Sequence, residues 1–203
     1  PTTALEAAAL YKKLEDIKVL AGGTFIMNSL KLLKTKGTKT ARNVLSLAKV
    51  TDLKGISLAQ GVLTIKAMTT ITELFEYEGL KDNLTVLHKV CRNISTNPIR
   101  NMATVGGNLT FRYTWTELGA VMIALNAQMH FLKDDGASVI VAAEDFFKNA
   151  ARCEYLFTHV TIKHEPTVKV AYRRVKKTIH VDVPLLAVCV IANVEKGKWS
   201  KVR

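Results

Sequence analysis

The sequence predicts an α+β protein of two lobes: a small α/β lobe over residues 1–58 and a larger lobe over residues 59–203. Two observations favour this fold class. The first half of the chain alternates helical and extended patterns, whereas strands separated by turns follow one another from residue 128 onward, which indicates an antiparallel sheet. The chain has 203 residues, 48% of them hydrophobic, which is long enough for one large domain or two small lobes that share a cleft.

Local signals predict the elements of the small lobe. Thr3 and Glu6 have the spacing of a capping box at the start of a helix, followed by a strand over residues 17–20 that leads into Gly22-Gly23. A second amphipathic helix over residues 27–33 ends at Gly37, and a strand follows over residues 43–47. The apolar face of the first helix is expected at Leu5, Ala8, Ala9 and Leu14.

The larger lobe begins with a predicted hairpin over residues 56–58 and 62–67. Thr70 with Glu73 predicts a capped helix, and a further helix over residues 84–94 is expected to end before Pro98. Residues 99–108 are predicted as a loop, with an apolar helix over residues 118–125 behind it. Strands are predicted over residues 128–133, 138–141, 155–163, 168–175 and 185–194.

Two Gly-Gly pairs, each beside a threonine, are the strongest candidates for a binding site. Gly22-Gly23 precedes Thr24, and Gly106-Gly107 follows Thr104. Such loops can turn several backbone N–H groups toward one anion, since glycine tolerates positive φ and lets the backbone touch a phosphate oxygen. A Rossmann G-x-G-x-x-G and a P-loop are both missing from the sequence, so the residues alone predict an anion site of unspecified kind.

Composition leaves several classes of partner open. The balance of 29 Lys+Arg against 17 Asp+Glu gives a net charge of +12, which suits nucleic acid, acidic lipid, an anionic cofactor or an acidic partner subunit. The three cysteines lie far apart without a C-x-x-C pair, and no histidine spacing predicts a metal site. No apolar run is long enough for a membrane span, and we expect a cytoplasmic protein.

Five segments in order resemble the flavoprotein (medium) subunit of molybdenum hydroxylases, the family of carbon monoxide dehydrogenase, xanthine dehydrogenase and aldehyde oxidoreductases. The segments are Val19-Leu20-Ala21-Gly22-Gly23-Thr24, residues 63–70, residues 99–109 around Thr104-Val105-Gly106-Gly107-Asn108, residues 143–147 and residues 171–175. The resemblance implies an FAD-binding fold of the vanillyl-alcohol-oxidase type. It also implies a further C-terminal domain after residues 185–203, which we expect to be absent from this chain.

The resemblance implies a set of FAD-binding residues. From the first loop these are Leu20, Ala21, Gly22, Gly23, Thr24, Phe25 and Ile26, and from the second region Ile99, Asn101, Thr104, Gly106, Gly107 and Asn108. Glu117, by its position after the second pair, could accept a hydrogen bond from a ribose or ring group. Tyr172, Arg173 and, more weakly, Asp182 fall where the family supplies groups near the flavin.

Two departures from the family pattern concern this site. Phe25 stands where an acidic or amide residue often follows the first Gly-Gly-Thr, which removes one polar contact. After the second pair the family usually has small residues, a Pro and an Asp, whereas residues 111–117 here read Phe-Arg-Tyr-Thr-Trp-Thr-Glu. We therefore expect an intact diphosphate cradle with altered contacts beside it.

The function implied is that of an electron-transfer subunit that binds FAD. Electrons would come from the two-iron two-sulfur small subunit, which receives them from a molybdopterin-binding large subunit, and would pass to a small-molecule acceptor. No acid–base residue and no nucleic acid are expected to take part. The alternatives are a stand-alone flavin oxidase or reductase of the same fold and a non-enzymatic basic module that binds nucleic acid.

Overall fold

A computed structural model describes residues 1–38, 40–111, 116–149, 153–178 and 183–203. In the described residues, helices and strands are mixed as the sequence predicts. Among those helices none is long and apolar enough to cross a membrane. The first part of the chain contains α1 (Ala4–Lys13), β1 (Ile17–Leu20), α2 (Ile26–Thr35) and β2 (Asn43–Ser46).

Helix α1 is capped by Thr3 as predicted, and its buried face agrees with the prediction in part. The Thr3 hydroxyl accepts a hydrogen bond from the Glu6 backbone N–H at 3.1 Å, while the Glu6 carboxylate accepts from the Thr2 N–H, one residue before the cap. Of the expected apolar positions Ala8 is buried and Leu14 half-buried, whereas Leu5 and Ala9 are exposed and Ala7 is buried in addition. The prediction was wrong there because the small alanine face allows the helix to approach the strands closely, whereas the larger Leu5 points away.

Strands β1 and β2 form a parallel pair with Ile17 opposite Asn43. The apolar cluster of this part of the chain lies between α1, the two strands and residues 47–53, with Ile17, Leu45 and Val50 buried. Helix α2 ends before Gly37 as predicted, but none of its residues is buried. The first glycine loop, residues 21–25, therefore lies between a well-packed strand and an exposed helix.

The rest of the chain builds two antiparallel sheets around a layer of helices. The helices are α3 (Ile71–Glu76), α4 (Val86–Asn93), α5 (Asn97–Arg100), α6 (Val105–Phe111), α7 (Glu117–Ala124) and α8 (Ala143–Lys148). The strands are β3 (Ile56–Ala59), β4 (Val62–Lys66), β5 (Gln128–Leu132), β6 (Ser138–Ala142), β7 (Leu156–Lys163), β8 (Val168–Lys176), β9 (Pro184–Glu195) and β10 (Lys198–Ser200).

The five-stranded sheet has the order β3-β4-β7-β5-β6. Its predicted first hairpin is confirmed: Gln60 and Gly61 both have positive φ, as a two-residue turn between twisted strands requires. The predicted capping box of α3 is confirmed as well, because Thr70 and Glu73 exchange both hydrogen bonds. Strand β3 pairs with β4, so residues 56–59 belong to this sheet. The division into residues 1–58 and 59–203 stays a prediction.

The second sheet has the order β10-β9-β8 and packs on α4 and α7. Side chains of β8 alternate between buried or half-buried and exposed, so Val168, Tyr172 and Arg174 face the helices, whereas Arg173 faces outward. The main core consists of Leu63 and Ile65 of β4 together with buried residues of α3, α4, α6 and α7, which lie against the five-stranded sheet. Because of this layering, the side of β8 that carries Tyr172 and Arg174 can face a cleft, and the side that carries Arg173 cannot.

The second glycine pair lies in a helix, which corrects the predicted loop over residues 99–108. Pro98 occupies the start of α5, where its missing N–H costs no hydrogen bond, and Gly106-Gly107 lies in the first turns of α6. The Thr104 carbonyl accepts from the Asn108 N–H at 2.9 Å and the Thr104 hydroxyl from the Gly107 N–H at 3.1 Å. Thr104 thus caps a helix that its two glycines alone do not favour.

A pair of stacked histidines lies on the face of the five-stranded sheet opposite the core. His130 and His159 are cross-strand neighbours with ring centroids 4.1 Å apart, while the adjacent Met129 and Val160 point into the core. Burial lowers the pKa of His159 to about 4, and the charges of His130 and Lys66 act in the same direction. Burial also lowers the pKa of His130. The folded protein therefore favours neutral rings.

We predict that stability falls as the pH drops from 6.5 to 4. In that window His159 takes up a proton in the unfolded chain but not in the folded one, so its contribution is present above 6.5 and is lost toward 4. The free energy of unfolding, measured with urea across this range, should depend less steeply on pH for His159→Gln, by the equivalent of up to about one proton. Equal slopes for His159→Gln and the unmodified protein contradict the assignment.

Candidate functional site

A cleft of about 790 Å³ lies between the first glycine loop, α6 and the inward face of β8. It brings together most of the residues that the resemblance implies for cofactor binding. Twelve of those sixteen residues line it: Ala21, Gly22, Gly23, Thr24, Phe25, Ile26, Ile99, Thr104, Gly106, Gly107, Asn108 and Glu117. The two glycine pairs therefore face one space, as predicted, although their functional roles stay a prediction.

Four of the predicted site residues do not line this cleft. Leu20 is half-buried on β1, and the exposed Asn101 side chain accepts a hydrogen bond from the Thr72 hydroxyl at 2.6 Å. Tyr172 is buried behind Glu117, and Arg173 is exposed on the outer face of β8. Asp182 and the altered segment 112–115 lie outside the described residues.

The first glycine loop meets the segment before α6 without room for a side chain. A Cβ atom at Gly22 would lie 1.8 Å from the Met102 carbonyl oxygen, so only glycine fits there. Among the described residues no group accepts a hydrogen bond from the N–H of Gly22, Gly23 or Thr24. Three consecutive donors beside the cleft can therefore serve a bound anion.

The second glycine pair contributes differently, because its N–H groups are used within the protein. Val105 and Gly106 donate to the Thr69 and Ala67 carbonyls at 2.8 Å each, and the N–H groups of Gly107 and Asn108 bind Thr104. The expectation that this pair offers several N–H donors to an anion was wrong for that reason. Gly106 is instead required by packing, since its Cβ would lie 2.7 Å from the Ala67 oxygen.

Asn108 carries the open polar atom of this second region. Its side-chain Oδ1 is buried and accepts no hydrogen bond from any described residue. A buried carbonyl oxygen without a donor costs free energy, on the order of 1–3 kcal/mol. Its position on the cleft lining makes it a ready acceptor for a ligand hydroxyl or amide.

The aromatic departures Phe25 and Phe111 touch each other across the cleft. Their ring centroids are 4.1 Å apart with the planes tilted by 54°, and about 39% and 37% of their surfaces are exposed. Phe25 precedes α2 and Phe111 ends α6. The contact thus joins the start of α2 to the end of α6 beside the glycine loops.

Glu117 lies at the other end of the cleft in a buried ion pair. Its Oε1 is 2.9 Å from Nη1 of Arg174, and its Oε2 accepts a hydrogen bond from the Tyr172 hydroxyl. Burial raises the pKa of Glu117, while the Tyr172 hydrogen bond and the charges of Arg174 and Lys176 oppose this. Burial also raises the pKa of Tyr172, reinforced by Glu117. Arg174 also donates to the Asn93 carbonyl at 2.6 Å, which ties β8 to α4.

Arg174 is a charged residue of the cleft lining that the sequence did not predict. A signal existed, because strand alternation places residue 174 on the same side as the buried Tyr172 and residue 173 on the other. No local motif in the sequence predicts the other lining residues. Among these are the half-buried Ile94 and Ser95, and Tyr11, Cys153 and Tyr155.

Comparison with known proteins assigns the family. Residues 1–162 match the model for the FAD binding domain in molybdopterin dehydrogenase, so the chain belongs to this family of FAD-binding domains. It is similar to the carbon monoxide dehydrogenase medium chain of Hydrogenophaga pseudoflava, with 27% identity over 175 residues, 85% of this chain and 56% of the relative. The glyceraldehyde dehydrogenase medium chain of Sulfolobus acidocaldarius is 24% identical over 86% of this chain and 60% of its own length.

Solved structures agree on the fold. A chain of cyanide-inactivated Cu,Mo-CO dehydrogenase matches all of this chain and 71% of its own, with a TM-score of 0.86 and 29% identity. Quinoline 2-oxidoreductase from Pseudomonas putida 86 is 22% identical with a TM-score of 0.87, and covers the same fold over 100% of this chain and 70% of its own. The chain spans little more than half the length of the two curated relatives above. The absence of a C-terminal domain stays a prediction.

We predict that Arg174→Gln and Arg173→Gln differ sharply in stability. Arg174→Gln leaves the buried Glu117 carboxylate without its cation, which should lower the free energy of unfolding by about 3 kcal/mol. Arg173→Gln changes an exposed position and should cost less than about 0.5 kcal/mol. Urea unfolding at pH 7 measures both; similar losses for the two variants would contradict the assigned orientation of β8.

We also predict that Gly22→Ala destabilises the protein by breaking the close contact between the first glycine loop and the segment before α6. The added methyl group collides with the Met102 backbone oxygen, which cannot move without displacing the segment before α6. We therefore expect the free energy of unfolding to fall by about 1–3 kcal/mol. Gly37→Ala is the matched control: its φ is +64° with open space around the Cβ, so it reports backbone strain alone, about 1 kcal/mol. A Gly22 variant no less stable than the Gly37 variant rules out the tight contact.

Proposed function

We propose that the chain is the FAD-binding electron-transfer part of a molybdopterin-dependent oxidoreductase. In this proposal it accepts electrons from the iron–sulfur clusters of a two-iron two-sulfur small subunit, next to a molybdopterin-binding large subunit, and passes them to a small-molecule acceptor. The fold is then of the vanillyl-alcohol-oxidase type. The observation that carries the proposal is the pairing of open N–H donors at Gly22–Thr24 with the open acceptor Oδ1 of Asn108 on one cleft.

This donor and acceptor set suits the middle of FAD. A diphosphate offers only acceptor oxygens to the protein, so it complements the three N–H groups of the first loop. The sugar hydroxyls beside a diphosphate can donate, so one of them can satisfy Asn108. Lys18 and Arg174 are the cations on the described lining, and both favour an anionic ligand.

The far end of the cleft suits the ring system. When bound, FAD supplies the redox chemistry of the subunit. Arg174 is held by Glu117 and by the Asn93 carbonyl, so its charge is fixed in place before any ligand binds. We assign to Arg174, rather than to the exposed Arg173, the place near the flavin, where its charge would stabilise negative charge on a reduced ring. Tyr172 orients Glu117 and acts on the cleft through it.

Strand pairing supports a lobe boundary slightly before residue 58. Because β3 begins at residue 56 and pairs with β4, we propose that the boundary between the two FAD-binding lobes lies at residues 54 and 55 of the chain. The three cysteines lie far apart in the sequence and form no C-x-x-C pair, which supports a reducing, cytoplasmic location for the complex.

The proposal predicts one FAD per chain. Titration of the purified protein with FAD, followed by calorimetry and flavin absorption, should show saturable binding. Asn108→Leu should weaken it about tenfold, since the variant loses the hydrogen bonds of the side-chain amide. Asn28→Leu, at an exposed position of α2 that does not line the cleft, is the matched control and should bind FAD as the unmodified protein does.

Three results would contradict this function. No binding at high FAD concentration removes the cofactor assignment. Turnover of an organic substrate without any partner favours a stand-alone oxidase or reductase, and steeply salt-dependent binding of nucleic acid without FAD binding favours the basic module.

A further inference from the structure

We propose that Phe25 and Phe111 form an aromatic latch, a contact between the two lobes that slows the release of bound FAD. The inference rests on the proposed function and concerns the residence time of the cofactor. Its observation is the contact itself, with ring centroids 4.1 Å apart on the lining of the cleft.

The latch completes a row of contacts between the first glycine loop and the α6 region. A Cβ at Gly107 would lie 3.9 Å from the Ala21 Cβ, and Gly22 abuts the Met102 carbonyl. Phe25 and Phe111 add a contact between side chains of the same two segments. The missing Cβ atoms of Gly22 and Gly107 let the two segments come close, and the rings add an attraction that resists their separation.

The chemistry of phenylalanine excludes a polar role at this position. Phe25 stands at the N-cap of α2 and makes no side-chain capping bond, because its ring has no acceptor oxygen. Neither ring can bind a phosphate oxygen by a conventional hydrogen bond. What two half-exposed rings beside the open N–H groups of Gly22, Gly23 and Thr24 can do is cover them and keep water away from an anion held there.

The latch acts on release more than on capture. Separation of the lobes must break the ring contact before a diphosphate bound between the loops can leave. An aromatic pair of this kind is worth about 0.5–1.5 kcal/mol beyond its buried area, which corresponds to about a two- to tenfold change in rate. Association is governed by diffusion and orientation, so it should change less.

Stopped-flow measurements on the full chain test the latch. The release rate is measured by diluting the FAD-loaded protein and following flavin fluorescence, and the association rate by mixing apo-protein with FAD. Phe25→Ala and Phe111→Ala should each release FAD about two- to tenfold faster, with association changed less than about twofold. The double variant should release no faster than the faster single variant, since either substitution already breaks the contact.

Three further variants guard against an effect on folding alone. Leu32→Ala removes an exposed side chain of α2 that lies outside the cleft and should leave release unchanged. Phe25→Leu and Phe111→Leu keep apolar volume without the ring, so they replace the alanine variants if those fail to fold, and should show a smaller acceleration in the same direction.

Each possible result decides the question. Unchanged release in both Phe variants, or additive acceleration in the double variant, overturns the latch and leaves FAD binding in place. Faster association with unchanged release also overturns it, since the rings would then obstruct entry. If the unmodified protein binds no FAD, the proposed function fails and the latch fails with it.

Discussion

Two hydrogen bonds that fix α6 on the end of β4 position most of the candidate site. The N–H groups of Val105 and Gly106 bind the carbonyls of Thr69 and Ala67, and Thr69 in turn donates its hydroxyl to the Gly55 carbonyl. These groups are buried, so losing either bond would leave an unsatisfied polar atom. Because α6 is fixed there, Asn108 and Phe111 reach the cleft.

The two glycine pairs look alike in sequence but have different structural roles. Gly22 lets the Met102 carbonyl approach closely, and the N–H groups of residues 22–24 stay available to a ligand. Gly106 lets the Ala67 carbonyl approach closely and donates its own N–H to it. Both are close approaches of backbone to backbone, where any Cβ would collide. The first pair therefore supplies the donors of the site, and the second supplies the fixed surface against which they are held.

Most of the fold could be predicted from the sequence because its signals are local. Alternating apolar residues, the Gln60-Gly61 turn and the Thr70–Glu73 capping box each act over a few residues, and all are confirmed. The nature of the second glycine region could not be predicted, since Gly-Gly is a weak helix former and α6 depends on Thr104 and on hydrogen bonds to residues 67 and 69, about forty positions away. The pairing of Arg174 with Glu117 is likewise a long-range contact, although strand alternation already separated Arg174 from Arg173.

The charge of the chain and the charge of the cleft are separate properties. The net charge is +12, yet the cations on the described cleft lining are Lys18 and Arg174, and Arg174 is already paired with Glu117. Much of the surplus lies elsewhere, for example on the exposed face of α2 with Lys31 and Lys34. Exposed lysines in water act weakly over distances beyond about 10 Å, so they contribute little to holding a ligand inside the cleft. In the proposed function, recognition of an anionic cofactor therefore comes from the backbone donors of the first loop together with Lys18 and Arg174, and the basic surface elsewhere is available for the encounter with other molecules.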